Sequence, residues 1–281
     1  MKIHIAKDAG YCTGVRDAVS LAYEAADQYG TVYMLGDIVH NEKVVADLSN
    51  SGVQVVKDIN DIPEGSHVLL RAHGTVPEIW ERARKKNLNI IDATCPLVLE
   101  IHQEVKKLAK EERTIIVIGD HRHDEVYGIA SQVKNPVIVN SPKEAMELGK
   151  IKKAGIVSQS TQMMENVQNI ISILLTKVHD LRFVNTICYP TKRNQEQIKA
   201  LADKCDVVIV IGSFTSANSK RLTQLSKEKN KNSYQVTGVE DINKEWFDSV
   251  EDIGISAGAS TPDYVIEEVK LKIQQITKRK K

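Results

Sequence analysis

Cys12, Cys95 and Cys188 each lie 24 residues before a glycine that closes an apolar run: Gly36, Gly119 and Gly212. A lone cysteine at a strand-to-helix turn, as in "NIIDATCPLVLEI", is ordinarily a small buried hydrophobe. One spacing kept three times instead puts the three thiols at equivalent points of a repeated unit. Three thiolates from three units suit zinc or a cubane iron–sulfur cluster. Zinc wants a fourth protein ligand or a water. A four-iron cluster normally takes four cysteines, so three leave one iron without a protein ligand. Such an iron can polarise a substrate oxygen and also pass electrons. Cys205 has no matching thiol, since its counterparts are Tyr29 and Glu112, and it reads as structural.

Polar residues follow the same count. Four residues past each glycine stand His40, His123 and Ser216; six past stand Glu42, Glu125 and Asn218. His73, Ser160, Thr161 and Ser260 end further strand-like runs. Any one of them alone would read as a loop cap. At matched positions in three units they describe a cavity lined with donors and without Lys or Arg. Imidazoles, hydroxyls, amides and helix amino termini hold phosphate groups, and a pyrophosphate would fit. Glu125, two residues past His123, is placed to deliver a proton beside a bound anion. Glu42 occupies the equivalent place in the first unit, so the repeat alone leaves that choice open. His4, His67, His102, His121 and His179 lack the matching and read as surface or packing residues.

The elements that must position these groups repeat as well. "TVYMLGDIVHNEKVV", "TIIVIGDHRHDEVYG" and "VVIVIGSFTSANSKRL" are β-branched runs closed by Gly and then Asp or Ser. Before each comes a helical pattern: "VRDAVSLAYEAADQYG", "LVLEIHQEVKKLAKEE" and "NQEQIKALADKC". "HVLLRAHGTVPE", "AGIVSQSTQMME" and "IGISAGASTPDY" begin the second halves. "NLNIIDATC" and "LRFVNTIC" complete the first two units with a strand running to the cysteine. The third unit runs out of chain, and "MKIHIAKDAGYC" supplies its missing strand. The expected class is therefore α/β, with three similar lobes of mainly parallel sheet around a pseudo-threefold axis, a trefoil. The lobes span 13–95, 96–185, and 186–281 with 1–12. Alternating strands and helices give parallel sheets, whose ligand loops lie at the carboxyl ends of the strands.

Bulk properties narrow the class. The 281 residues are 42% hydrophobic and 27% charged, with a net charge of +1, ordinary for a globular protein. That balance gives no general pull toward nucleic acid or membrane, so an anion must be held by a local site. No run approaches the roughly 18 apolar residues of a membrane span. The start lacks the apolar core of a signal peptide, so the expected location is cytoplasmic. The final "KRKK" reads as a solvated tail. Four distant cysteines without an export signal argue against a disulfide framework, and no C-x2-C pair is present.

"GYCTGVRDAV", "HNEKVV", "RAHGTVPE", "DATCPLV", "HDEVYG", "TICYPT", "SFTSANSKRL" and "AGASTPD" resemble, in order and spacing, the 4-hydroxy-3-methylbut-2-enyl diphosphate reductase (IspH/LytB) family. The resemblance covers essentially the whole chain. It implies one 4Fe-4S cluster on Cys12, Cys95 and Cys188, and reductive loss of a hydroxyl to give isopentenyl and dimethylallyl diphosphate. His40, His73, His123, Ser216, Asn218 and Ser260 would hold the diphosphate. Glu125 would deliver protons, helped by a hydroxyl of "SQST", with Ser160 the closer match and Thr161 the other candidate. A low-potential donor such as ferredoxin or flavodoxin is implied. Ala217 stands where the family usually has a second Ser, "HDEVYG" replaces "HPEVEG", and Arg193-Asn194 reverses the usual order. Other readings are a non-redox lyase of the quinolinate-synthase type, a paralogue acting on another small anion, and a sensing module that carries the cluster without catalysis.

Overall fold

The computed structural model describes residues 1–278. Of the carboxyl-terminal tail, everything from Arg279 on therefore lies outside the described residues. The chain opens with β1 (Lys2–Ile5) and α1 (Thr13–Tyr29). There follow β2 (Val32–Leu35), α2 (Glu42–Asn50), β3 (Val53–Val56), β4 (His67–Leu70), α3 (Pro77–Lys85) and β5 (Asn89–Asp92). The second stretch is α4 (Pro96–Lys110), β6 (Thr114–Ile118), α5 (Asp124–Ala130), β7 (Val137–Val139), α6 (Pro142–Glu147), β8 (Ile151–Ser158), α7 (Met164–Leu174) and β9 (Val178–Phe183). The third is α8 (Tyr189–Lys204), β10 (Val207–Ile211), α9 (Ala217–Lys229), β11 (Ser233–Val236), β12 (Asp252–Ala257) and α10 (Asp263–Lys278).

The strands form three four-stranded sheets, ordered β3-β2-β4-β5, β7-β6-β8-β9 and β11-β10-β12-β1, and every pairing is parallel. Each runs out from the first strand of its repeat to the second, then back across to the third and fourth. The amino-terminal β1 is that fourth strand for the last sheet, with Lys2 opposite Asp252 and Ile5 opposite Ile255. Loops leaving the first and third strands thus flank a topological switch point, where open α/β sheets make their binding crevices.

The chain divides into two compact units. One comprises Met1–Val15, His40–Val44 and the chain from Tyr189 on; the other comprises Arg16–Val39 and Val45–Cys188. In the first, Ile209, Ile211, Ile253 and Ile255 pack with Val265, Val269 and Ile273 of α10. In the second, Ile116, Ile118 and Ile156 pack against Val167, Ile170 and Leu174 of α7. The opposite face, at Ile115, Val117 and Val157, meets Ile101, Val105 and Leu108 of α4. β10 is buried at all five positions, the pattern of a parallel strand covered on both faces. Burying each such side chain contributes about 1.5–3 kcal/mol.

Three features of the fold depart from the sequence pattern. Each sheet carries a short outer strand (β3, β7 and β11) that the repeat does not announce, because three or four half-exposed residues make a weak pattern. α8 starts at Tyr189 rather than near Asn194, with Pro190 in its first turn, where a missing amide hydrogen is harmless. The strands expected to run to Cys95 and Cys188 stop short, at Asp92 and Phe183. The Asp92 carboxylate accepts from the Thr94 amide and hydroxyl at 3.0 and 2.5 Å, turning the chain out of the ladder. The Thr186 hydroxyl accepts from the Ser158 amide at 2.7 Å and donates to the Ser158 carbonyl at 2.6 Å, replacing backbone pairing there.

Candidate active site

The three repeated cysteines share one local setting. Each immediately precedes a helix: Cys12 before α1, Cys95 as the amino cap of α4, and Cys188 before α8. Each donates its amide hydrogen to the carbonyl two residues past the third strand of its repeat. Cys12 donates to Ala259 at 3.3 Å, Cys95 to Ala72 at 3.0 Å and Cys188 to Ser160 at 2.9 Å. All three are half-buried free thiols. The positive end of a helix dipole favours the anionic thiolate that an iron or zinc ligand must be. Cys205 lies apart from this pattern: it is buried under Gly254, and burial, helped by Asp252, pushes its thiol up from the ordinary value.

In the larger unit, the structure gathers His73, His123, Glu125, Ser160 and Thr161. The rings of His73 and His123 meet edge to face, 5.7 Å between centroids. His123 caps α5 by accepting the Glu125 amide hydrogen on Nδ1 at 3.2 Å, which leaves Nε2 as the proton-bearing atom of the neutral ring. Glu125 is only 2% exposed. Its carboxylate accepts from the Ser160 amide on Oε1 at 2.6 Å and from the Ser160 hydroxyl on Oε2 at 2.8 Å. Thr161 points elsewhere, accepting from Gln159 Nε2 at 3.0 Å. Gln159, which the sequence did not single out, is fully buried and also accepts from the Asp120 amide at 3.1 Å. The only hint of it was its place as the first polar residue after an apolar strand.

In the other unit, Ser260 is buried and donates to the His40 carbonyl at 3.2 Å. Ser216 caps α9 by accepting the Ser219 amide hydrogen at 3.3 Å. Ala217, half-buried in the first turn, offers no side-chain donor. Asn218 follows it, 6% exposed, and its Nδ2 is a buried donor without a hydrogen-bond partner among the described residues. A buried donor left unpaired costs about 1–3 kcal/mol, so an anionic oxygen delivered here would be held. Glu42 differs from its counterpart Glu125. It is exposed and accepts from Ser213 at 2.7 Å and Thr215 at 3.2 Å. Partial burial would raise its carboxyl, but hydrogen bonds from Ser213, its own amide and Thr215, with the charge of His40, draw it below the usual range. Arg193, one of the reordered residues, pairs with Asp8 at 2.7 Å, while Asn194 and Gln195 are buried.

The unmatched histidines behave as packing or surface groups. His67 stacks on Tyr29 at 3.9 Å, His4 meets Asp252 at 2.5 Å, and exposed His121 meets Glu144 at 2.8 Å. His102 is buried, and burial, with Lys106 nearby, pulls its pKa down to about 4.

Among the described residues, no group of three or more His, Cys, Asp or Glu could hold a metal ion. The donor chemistry of the cysteines, soft thiols at helix starts, fits an iron–sulfur cluster.

The model of the LytB protein family matches residues 3–274. A Geobacter sulfurreducens protein named 4-hydroxy-3-methylbut-2-enyl diphosphate reductase is 41% identical over 282 residues, covering all of both chains. An Aquifex aeolicus protein of the same name is 40% identical over 279 residues, 98% of this chain and 96% of its own. Among solved structures, the E-1-hydroxy-2-methyl-but-2-enyl-4-diphosphate reductase of Plasmodium falciparum superposes with a TM-score of 0.90 at 29% identity, covering 99% of both chains. A structure described as (E)-4-hydroxy-3-methyl-but-2-enyl diphosphate reductase, the terminal enzyme of the non-mevalonate pathway, gives 0.71 at 39% identity, covering 98% of this chain and 100% of its own. The fold and site are those of an α/β oxidoreductase. The chain belongs to the LytB protein family.

Proposed function

We infer that this chain catalyses the reaction its relatives are named for, the last step of the non-mevalonate route to isoprenoids. (E)-4-Hydroxy-3-methylbut-2-enyl diphosphate loses its hydroxyl as water. Two electrons and two protons enter, and isopentenyl and dimethylallyl diphosphate leave. The observation that carries this reading is the cysteine setting repeated three times, each thiol at a helix start with its amide tied to the equivalent carbonyl. Cys12, Cys95 and Cys188 would hold one 4Fe-4S cluster, whose open iron would supply Lewis acidity and electrons when bound. A low-potential carrier such as ferredoxin or flavodoxin would deliver those electrons, in the cytoplasm, where thiols stay reduced.

The chain's own side chains would do the rest. Asn218, Ser216 and Ser260 would meet the diphosphate with His40 of their unit, and His73 and His123 would bring imidazole donors. Glu125 would hand over protons through the Ser160 hydroxyl that it already holds at 2.8 Å. Burial keeps that relay away from bulk water.

The test is turnover by anaerobically purified protein, supplied with the diphosphate substrate and a chemical reductant. Both isomeric products and about four irons per chain are expected. Turnover that continues without any reductant would place the chain among non-redox lyases instead.

A further inference from the structure

The three sheets repeat so closely that a departure at equivalent positions is informative. The residue directly after the third strand is Arg71, Gln159 or Gly258, and the residue just before Glu42, Glu125 or Asn218 is Asn41, Asp124 or Ala217. Gln159 packs over Gly119 and accepts from the Asp120 amide. Gly258 has no side chain to extend. Asn41 turns back to accept the amides of Lys43 and Val44 at 3.1 and 3.3 Å. Ala217 offers no polar atom.

Arg71 and Asp124 alone carry opposite charges at these places, and they meet. Arg71 leaves the β4 end, lies across Gly36, and donates from Nη1 to Asp124 Oδ2 at 2.6 Å. A Cβ at Gly36 would sit 3.0 Å from that same nitrogen, and its φ of +71° already favours glycine. The guanidinium thus rests on backbone that cannot bear a side chain without moving it. Both partners are partly shielded, with side-chain exposures of 25% and 36%. Arg71 stands two residues before His73, and Asp124 stands between His123 and Glu125.

We propose that the Arg71–Asp124 ion pair is a positioning strut that ties the His73 loop of one sheet to the His123–Glu125 turn of the next. It fixes where the Glu125 carboxylate stands against Ser160 and how the His73 and His123 rings face one another. Asp124 sits at the first position of α5, a helix of only seven residues. Such a helix has few bonds of its own to set its direction, so a charged tether at its start decides the aim of the two residues beside it. Acting through Glu125 and His123, both partners are positioning residues. The inference rests on Glu125 and His123 serving the diphosphate substrate as read above.

The experiment compares Arg71→Met, Asp124→Asn and the double variant of the holoenzyme, with Asp124→Glu as the conservative change. Each single variant should lose roughly ten- to a hundredfold in kcat, the cost of a small misplacement of catalytic groups. KM should move far less, because the diphosphate is held by several donors. The double variant should be no worse than the poorer single one, since both remove one interaction. Asp124→Glu should recover most of the rate. Iron content should stay at the wild-type level in all of them.

A second readout needs no turnover. Amide hydrogen exchange at Glu125 and Ser160 should quicken by about tenfold or more in Asp124→Asn, as the local opening becomes easier. Wild-type protein that leaves the diphosphate untouched would defeat the proposed reaction while the exchange result still decides the strut. Losses that multiply in the double variant, or that follow lost iron, would overturn the strut. So would unchanged exchange at both amides.

Discussion

Ser160 grips both oxygens of the Glu125 carboxylate, its amide on one at 2.6 Å and its hydroxyl on the other at 2.8 Å. The two residues are 35 positions apart in the chain, and each leaves the carboxyl end of a neighbouring strand of one sheet. The doublet fixes the plane of the carboxylate.

That geometry separates three substitutions. Glu125→Gln should lower kcat by about 10²- to 10⁴-fold, the usual contribution of a positioned acid. Ser160→Ala keeps the amide bond but removes the hydroxyl, and should cost roughly tenfold or more, as a hydrogen bond to a charged group is worth about 1.5–3 kcal/mol. Thr161→Ala removes the hydroxyl that accepts from Gln159 and leaves the Glu125–Ser160 doublet in place, so it should be mild. Steady-state kinetics on anaerobic enzyme would check the order, and a larger loss in Thr161→Ala than in Ser160→Ala would refute it.

Cysteine replacements divide in the same way. Cys12→Ser, Cys95→Ser or Cys188→Ser should each strip iron and the visible absorbance of the cluster. Cys205→Ser should keep both, because that thiol packs under Gly254 in the core of its own sheet. Iron and sulfide analysis reads the result directly. Loss of iron in Cys205→Ser equal to that of the others would break the repeat argument.

Asn218 offers a buried donor with no described partner, so its removal should leave the fold intact and weaken anion binding. Asn218→Ala should raise KM roughly tenfold with iron unchanged, since a lost bond to a charged group costs about 1.5–3 kcal/mol. At the neighbouring position Ala217→Ser adds a hydroxyl in the first turn of α9. It should lower KM by roughly two- to tenfold, in line with about 0.5–1.5 kcal/mol for one new hydrogen bond.

His102 sets a pH limit on stability. Its imidazole lies against Gly74 and Gly128, where a Cβ at Gly74 would stand 2.9 Å from the ring. Burial first, and Lys106 second, lower its pKa from 6.5 to about 4, with Asp92 opposing. The unfolded chain therefore takes up a proton before the folded one does. The contribution is fully present above pH 6.5 and is lost as pH falls toward 4, amounting to about 3 kcal/mol. Denaturant unfolding between these limits should show the loss, and His102→Gln should flatten it. An unchanged slope in the variant would remove His102 as its source.

Much of this protein is legible in its sequence. A spacing repeated three times marks the cysteines, and strand length and turn residues dictate which loop each polar side chain leaves from. Covalent connectivity and period carry that information, so the parallel sheets and the closing role of the amino-terminal strand follow from the chain itself. The repeat spacing alone does not separate Glu42 from Glu125, and the family resemblance only ranks Ser160 ahead of Thr161. The folded chain gives them different surroundings, burying Glu125 against Ser160 while Glu42 stays exposed on Ser213. The Arg71–Asp124 pair is likewise invisible beforehand, being 53 residues apart. A side chain's partner depends on which loops packing brings within about 3 Å, and no local pattern records that distance.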